Sequence, residues 1–406
     1  MNMRIISFEI KKMLSDKLIW IAIIIIFMLN SIIILTDHND RKDIIYVNNI
    51  VDQVGCVIND KSIMKMKKIY SDRNNELKNI YELTTGKELQ DLNDISKYMS
   101  SYADQVKELE ILCKLIDTAT ELDNGNISFE KESFNEKYKN DTNSLLNIIS
   151  KQLLNKRLSL LKDTDEVKYI SVNMVSDISI LLFNKILPAI YFEVILLGII
   201  FIFRSMDFEI KNETQMVIYS CAKGQKLKVH KLLACLISSF FCFLLVSVFT
   251  LLFYCCYFQQ YKFLLNPATA DFYPNQLTIC PISSLGLLFI NLIIGFLIIA
   301  SFLIFIFSVS IIIKNSYVGF VIALGSILFM PLNFINAALK IPYNPLLLLL
   351  QYNIADRNVI VNCFNWFMYS SDYLYLPLSE LIVFGILTTY VIICFLCFKY
   401  ICRRDL

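Results

Sequence analysis

The sequence has few of the residues that break helices or carry charge. Its 406 residues include 8 prolines and 10 glycines, and 18% are Asp, Glu, Lys or Arg, against about 25% in a soluble domain. Two histidines, His38 and His230, argue against a zinc or triad enzyme built on histidine. A net charge of +2 provides no basic field for nucleic acid. No two glycines lie five residues apart, so the chain has no phosphate-binding loop of the Gly-x4-Gly-Lys type.

Apolar and aromatic residues are abundant instead. The chain is 56% hydrophobic, with 30 phenylalanines and 21 tyrosines, and its mean hydropathy is +0.55. Disordered chains are poor in these residues, so disorder is excluded. A water-soluble protein of this size could not hide so much apolar surface, so the composition predicts a membrane protein. Most of the 12 cysteines lie in apolar runs and act there as small hydrophobic residues.

Apolar runs long enough to cross a bilayer occur six times. A spanning helix needs about 20 mainly apolar residues. The sequence therefore predicts an all-α membrane protein with six transmembrane helices, at residues 18–36, 178–203, 232–258, 285–313, 318–339 and 381–400. The first run is too long for a signal peptide and has no cleavage site, so we interpret it as an anchor. The third and fourth exceed the hydrocarbon thickness and are expected to tilt or protrude.

The distribution of basic residues predicts which side each loop faces. With both termini in the cytoplasm, the inner segments carry fourteen basic residues: Arg4, Lys11, Lys12, Lys17, Arg204, Lys211, Lys223, Lys226, Lys228, Lys231, Lys314, Lys399, Arg403 and Arg404. The short outer loops carry only Lys262, Lys340 and Arg357. The positive-inside rule therefore favours cytoplasmic termini. The abundance of Ile, Lys and Asn is typical of low-GC bacteria, so we expect a multi-pass protein of the bacterial cell membrane.

Residues 37–177 differ from the rest of the chain and predict a helical extracellular domain. The segment is polar, without proline, and holds 20 basic and 25 acidic residues. Apolar residues recur at helical spacing in two stretches, residues 106–116 and 146–161. Thr85-x-x-Glu88 resembles a capping box, with Gly86 as a stop for the preceding helix. Cys56 and Cys113 could form a disulfide or remain free thiols, and spacing alone leaves both open.

Two further segments are predicted to lie at the membrane surface. Residues 1–17 form a short cytoplasmic amphipathic helix, with Ile5, Ile6, Phe8 and Met13 on one face and Glu9, Lys11 and Lys12 on others. A plain basic flank of the first span is the alternative. Residues 341–377 contain prolines, Trp366 and many tyrosines, which favours an interfacial or re-entrant segment over a lipid-facing loop.

The loop between the second and third spans, residues 204–231, reads RSMDFEIKNETQMVIYSCAKGQKLKVHK. It resembles the coupling segment of ABC type-2 permeases, the membrane subunits of ABC exporters. The matching residues are Glu209, Thr214, Tyr219, Gly224, Lys226 and Lys231. Glu213 stands where that family usually has glycine, and Lys226 where it often has arginine. Phe8-Glu9-x-Lys11-Lys12 and Arg403-Arg404-Asp405 are also similar to the family's termini. The resemblance does not extend to residues 37–177, which look like a large insertion.

The resemblance implies a non-catalytic permease subunit of an ABC exporter. A cytosolic ABC ATPase on a separate chain would bind ATP and Mg, and this chain would hold no cofactor. The permease would work as a homodimer, or as a heterodimer with a related permease, in the lipid bilayer. Its cargo would be amphipathic: a peptide antibiotic, a bacteriocin or a lipid. A stiff polar helix within residues 204–231 would dock on the ATPase, whereas the plainer interpretation is an ordinary basic loop.

Polar residues inside the spans are a second set of candidates, because polar groups are costly in lipid. Glu193 lies near the middle of the second span, as a pathway or gate residue or as a hydrogen-bonded acid facing the bundle. The others are predicted in the outer half, where they could line a vestibule or hold helices together: Asn184, Lys185, Asn291, Asn333 and Asn336.

Two other function classes compete with transport. A membrane-anchored sensor or scaffold would explain the extracellular domain by binding a peptide or envelope partner there, but it gives no reason for an organised segment 204–231. An intramembrane enzyme needs a convergent set of catalytic groups. Two histidines outside the spans and one central acid do not provide it.

Overall fold

A computed structural model describes most of the first three-quarters of the chain. The described residues are 3–36, 39–86, 100–124, 156, 159–160, 166–176, 178–211, 224–272, 276–278, 281–312, 321, 368–370 and 392. They are almost entirely helical, apart from one short antiparallel ribbon in which Leu277 pairs with Tyr369. Only residue 321 of the predicted span 318–339 and residue 392 of the predicted span 381–400 are described, and nearly all of 341–377 lies outside the described residues.

The described residues include ten α-helices and two strands. The α-helices are α1 Met3–Leu14, α2 Lys17–Thr36, α3 Asn39–Val54, α4 Asp60–Thr85, α5 Ala103–Asp123, α6 Ile178–Leu181, α7 Leu187–Lys211, α8 Gly224–Phe258, α9 Ala268–Phe272 and α10 Ser284–Ile312. The strands are β1 Gln276–Thr278 and β2 Met368–Ser370. A π-helical turn, Leu182–Ile186, joins α6 to α7.

Four helices are long and apolar enough to cross a membrane. They contain the candidate spans Lys17–Thr36, Leu187–Ser205, Leu227–Phe258 and Ser284–Ser308, with hydropathies of 3.0, 2.1, 2.6 and 2.9. The predicted helices at 18–36, 178–203, 232–258 and 285–313 are therefore present. The second and third extend beyond the predicted limits, to Lys211 and from Gly224 respectively, because polar residues next to an apolar run can still continue a helix.

Successive spans run in opposite directions, so the bundle has two distinct ends. We call one the basal end; it carries α1 and residues 204–211 and 224–231. The other, the domain end, carries the described parts of residues 39–176 together with residues 259–283. α7 packs along both α8 and α10, and α2 packs on α8. The core of the described bundle therefore lies around α7, whose Ile190, Val194 and Ile199 are fully buried.

The amphipathic N-terminal helix is present, but its buried face differs from the prediction. Ile6, Glu9 and Met13 are buried, whereas Phe8 is 66% exposed. Residues 6, 9 and 13 share one face at a period of 3.6, and Phe8 falls on the opposite side. The prediction holds for Ile6 and Met13 and was wrong for Phe8 and Glu9, because it grouped residues by hydrophobicity, whereas α1 lies against α8 with Glu9 on its buried face.

The turn between α1 and α2 is held by local hydrogen bonds. The carboxylate of Asp16 accepts from the backbone N–H of Leu18 at 3.0 Å, which satisfies a free donor at the start of α2. The indole N–H of Trp20 donates to the carbonyl of Leu14 at 2.9 Å. These contacts fix the angle between α1 and the first span.

The described part of residues 39–124 forms three packed helices, α3 to α5. Asn59 and Ser62 form a capping box at the start of α4, and Gly86, in the left-handed conformation at φ 66°, ends it. The stop predicted at Gly86 is confirmed; Glu88 and residues 146–155 lie outside the described residues. Arg73 of α4 donates to Glu108 of α5 at 3.0 Å. The predicted apolar face is present, with Val106, Leu109, Leu112 and Ile116 buried.

The two cysteines of this region do not form a disulfide. Cys56 and Cys113 are both free, so the free-thiol alternative holds in this structure. Partial burial raises the pKa of both thiols. A raised pKa disfavours the thiolate, which is the reactive form of cysteine, so neither side chain is an activated nucleophile.

At the domain end, residues 166–176 and the loop after α8 are joined by hydrogen bonds around one buried acid. Asp271 of α9 accepts from the hydroxyl of Ser171 at 2.7 Å and from the hydroxyl of Ser284, the first residue of α10. Its backbone carbonyl accepts from the side-chain amide of Asn173. Lys262 adds an ion pair to Asp52 of α3 at 2.7 Å. The region between the first two spans is therefore attached directly to the start of the fourth.

Candidate functional site

A polar contact joins three spans inside the bundle. The side-chain amide of Asn30 in α2 donates to Oε2 of Glu193 in α7 at 2.9 Å and to Oγ1 of Thr250 in α8 at 3.2 Å. Asn30, Glu193 and Thr250 are 1%, 8% and 1% exposed. We call these three residues the polar contact. Asn30 lies six residues before the end of α2, about 9 Å from the domain end of that helix.

The polar contact is incompletely satisfied by its neighbours. The Oδ1 atom of Asn30 is buried and accepts no hydrogen bond from the described residues. The hydroxyl of Ser247, one turn before Thr250 on α8, is also buried and unpaired within that part of the chain. Buried acceptors without donors are costly and require an explanation.

Close packing between the second and fourth spans holds α7 in place next to the polar contact. Tyr191 donates its hydroxyl to the backbone carbonyl of Asn291 at 2.9 Å, and its ring crosses α10 at Gly295. A Cβ atom at Gly295 would lie 2.3 Å from Cζ of Tyr191. A Cβ atom at Gly198 would lie 2.5 Å from Cδ2 of Leu303. A side chain at either position would therefore force the facing side chain to move.

The basal end contains a second group of buried polar side chains. Lys231, fully buried on α8, donates from Nζ to the carbonyl of Ser205 in α7 at 2.9 Å. Arg204 forms an ion pair with Asp16, in the turn between α1 and α2. Glu9 of α1 is buried here, with the ammonium of Lys12 at 3.8 Å. The first three spans are therefore joined at this end by charged groups.

The predicted coupling residues fall at this basal end where they are described. Glu209 lies in the last turn of α7, Gly224 begins α8, and Lys226 and Lys231 follow in its first two turns. Glu213, Thr214 and Tyr219 lie outside the described residues. Residues 209–211 belong to the helix of the second span and residues 224–231 to the helix of the third, as expected for a break at Gly224, and the residues between them lie outside the described part of the chain.

The other predicted polar residues take different positions. Asn184 and Lys185 lie in the π-helical turn at the domain end of the second span, and Lys185 is exposed. Asn291 is 1% exposed and donates to the carbonyl of Leu287 in its own helix. Glu193 belongs to the polar contact, where it accepts a hydrogen bond from Asn30 of the first span. Asn333 and Asn336 lie outside the described residues.

Sequence reasoning missed several residues that the structure places at these contacts: Asn30, Thr250, Asp16, Asp271 and Ser171. Asn30 had a usable signal, since it is the one amide or charged residue within 18–36 and intramembrane polar residues are candidates by default. Thr250 had none, because a threonine in an apolar helix commonly bonds to its own backbone.

Comparison with protein-family models, with curated proteins and with solved structures finds no match. The class of protein therefore follows from the helices themselves. With four described helices long and apolar enough to cross a bilayer, the chain is a multi-pass helical membrane protein. Within the described residues, no group of three His, Cys, Asp or Glu side chains is arranged to hold a metal ion.

Proposed function

We propose that the chain is the permease subunit of an ABC exporter in a bacterial cell membrane. It moves an amphipathic cargo, such as a peptide antibiotic, a bacteriocin or a lipid, and a separate cytosolic ATPase supplies the energy. The motifs of residues 204–231 carry the family assignment. The positive-inside distribution supports placing the basal end in the cytoplasm, with residues 39–176 outside the cell.

The observation that carries the proposal is the buried hydrogen bond from Lys231 to the carbonyl of Ser205. It joins the two ends of the predicted coupling segment where they leave the second and third spans. A force applied to that segment by an ATPase therefore reaches both spans together. Because Lys231 is fully buried, losing this hydrogen bond to a charged donor would be unfavourable.

The basal contacts extend this connection to the first span. Arg204 follows the second span and pairs with Asp16, which also caps α2. The helix α1 packs on α8 and α7. Motion of the coupling segment would thus move three spans that meet again at the polar contact. A homodimer or a heterodimer with a related permease would enclose the pathway, and two ATPase subunits would dock below.

The coupling role is tested by replacing Glu209 and Tyr219 together with alanine. The chain and the ATPase proposed as its partner are reconstituted in proteoliposomes, and ATP hydrolysis is measured. We expect the wild-type chain to alter the ATPase rate severalfold and the double variant to leave it at the rate of the ATPase alone. The physical reason is loss of the groups that contact the ATPase, since both residues are predicted to lie on the docking segment.

A matched control replaces one acid and one tyrosine at the opposite end, Glu76 and Tyr261, both exposed. Its ATPase rate should equal that of the wild-type complex, and both double variants should insert into membranes normally. Undiminished coupling in the Glu209/Tyr219 variant would contradict the assignment. Absence of any ATPase partner would favour the sensor or scaffold, in which residues 39–176 bind an envelope partner.

A further inference from the structure

Among the residues that the structure describes, no fixed counter-charge lies at the depth of Glu193 in the membrane. Residues 18–36, 188–203, 232–258 and 284–312 contain no other Asp, Glu, Lys, Arg or His. Along the second span, Lys185 is eight residues away and Arg204 eleven, which is about 12 Å and about 16 Å. An ionised carboxylate buried in this position would be uncompensated by any described group, which is strongly unfavourable.

The groups on the helices packed against α7 provide no cation at the polar contact. α2 and α10 carry none within the bilayer. α8 presents neutral side chains at that level, and its charged residues lie at the basal end with those of α1. The titratable groups of α8 and α1 are Tyr254, Tyr257, Cys235, Cys242, Cys255, Cys256, Lys226, Lys228, His230, Lys231, Arg4, Glu9, Lys11 and Lys12.

The hydrogen bonds of Asn30 indicate that a bound proton neutralises Glu193. Its amide N–H already donates to Oε2 of Glu193, while its Oδ1 atom is buried without a donor among the described residues. A neutral carboxylic acid has the complementary pattern, because one oxygen accepts and the other carries a hydrogen that donates. An amide and an acid in this relation form a cyclic pair with two hydrogen bonds.

The geometry points to Asn30 and Glu193 as a proton-binding site, in which we propose that the neutral carboxyl of Glu193 donates to Oδ1 of Asn30. Separation of the first and second spans would admit water, break the carboxyl O–H bond and release the proton to water, leaving a solvated carboxylate. Closure would take one proton back. Opening of this three-span contact is thus coupled to exchange of one proton. This inference does not depend on the ATPase assignment.

Infrared spectroscopy of the full chain in lipid nanodiscs at neutral pH tests the site. We expect the wild type minus E193Q difference spectrum to show one carboxylic acid C=O band that shifts in deuterated water. N30A should move that band to higher frequency, because it removes the hydrogen bonds that lengthen the C=O bond. N291A is the matched control, since Asn291 is equally buried but bonds to its own helix, and it should leave the band unchanged.

Thermal unfolding gives a second, independent readout. Glutamine has the same shape as a neutral glutamic acid and likewise offers one hydrogen-bond acceptor and one donor to Asn30. E193Q should therefore keep both hydrogen bonds and unfold within about 2 °C of the wild type. Absence of the acid band, or a wild-type transition that rises with sodium chloride but not with choline chloride, would overturn the proposal in favour of a carboxylate holding a metal cation. Failure of ATPase coupling would affect neither measurement.

Discussion

The residue with the clearest pH response outside the spans is Asp271 at the domain end. Burial raises its pKa to about 6 from 3.8, despite the opposing hydrogen bonds from Ser284 and Ser171. Because the folded state binds the proton more tightly than the unfolded chain, protonation stabilises the fold. That contribution is complete below about pH 4 and is lost as the pH rises through 6.

We therefore expect the wild-type chain to gain thermal stability relative to D271N as the pH falls from 7 to 4, by at most about 3 kcal/mol. Asparagine keeps the size of the side chain and cannot titrate, so the difference between the two proteins isolates this carboxyl. Unfolding curves of the purified full chain in detergent, followed by tryptophan fluorescence across that range, measure the effect. Parallel pH profiles would show that Asp271 does not titrate in the folded protein.

The buried acids Asp271 and Glu193 differ in their hydrogen-bond partners. Asp271 accepts from two serine hydroxyls, which are suited to a carboxylate. Glu193 has a single amide donor beside an acceptor that lacks one, which suits a neutral acid. Asp271 thus joins loops at the domain end, whereas Glu193 is the proposed proton-binding acid inside the bundle.

At the scale of elements, the contact between the second and fourth spans depends on two small residues. Gly295 allows the ring of Tyr191 to reach the backbone of α10, and Gly198 admits Leu303 in the same way. Small residues at such positions allow helices in membranes to approach closely, and packing is a main source of their association. Glu193 of the polar contact also lies on α7, so its position depends on how α7 packs against α10.

Replacing Gly295 with alanine should destabilise this helix pair by about 1–3 kcal/mol. The new Cβ would lie 2.3 Å from Cζ of Tyr191, so the ring must move and its hydrogen bond to Asn291 is lost. Thermal unfolding of G295A measures the cost. The same substitution in a Y191L background should cost less, since neighbouring changes are not additive when they share a contact. Equal costs in both backgrounds would show that the ring is not the obstacle.

For the whole molecule, the decisive question is which side of the membrane each end faces. The alternation of spans places Gly86 at one end of the bundle and the flanking residues Lys211 and Gly224 at the other. The positive-inside rule favours the basal end in the cytoplasm, with Arg204, Lys228 and Lys231 near it. Residues 39–176 would then face the exterior, where they could meet a cargo or an envelope partner.

Epitope tags inserted after Gly86 and within residues 212–223 check this orientation in intact cells. The tag after Gly86 should bind antibody without permeabilisation, and the tag within 212–223 should bind only after it. A C-terminal tag is the internal control, because it is predicted to lie on the same side as 212–223. If the tag within 212–223 lay outside the cell, the coupling segment could not reach a cytosolic ATPase. That result would contradict the exporter proposal.

Local patterns in the sequence were sufficient to predict the four long apolar helices that the structure describes. Long apolar runs predicted four spans that the structure contains, and Gly86 predicted the end of α4, because hydrophobic length and a left-handed glycine act within a few residues of chain. The helix limits at Lys211 and Gly224 were not predicted. The polar residues that flank a span can continue its helix, so the end of an apolar run does not mark the end of the helix.

Contacts between distant residues were decided only by the tertiary structure. Asn30 and Glu193 are 163 residues apart, and Ser171 and Asp271 are 100 apart; neither pair has a local signal. The orientation of α1 was also set by its neighbours, which turned Glu9 inward and Phe8 outward. The physical reason is that the apolar content of a segment determines whether it enters the bilayer. Which polar groups meet there depends on how helices pack, and packing is a property of the whole bundle.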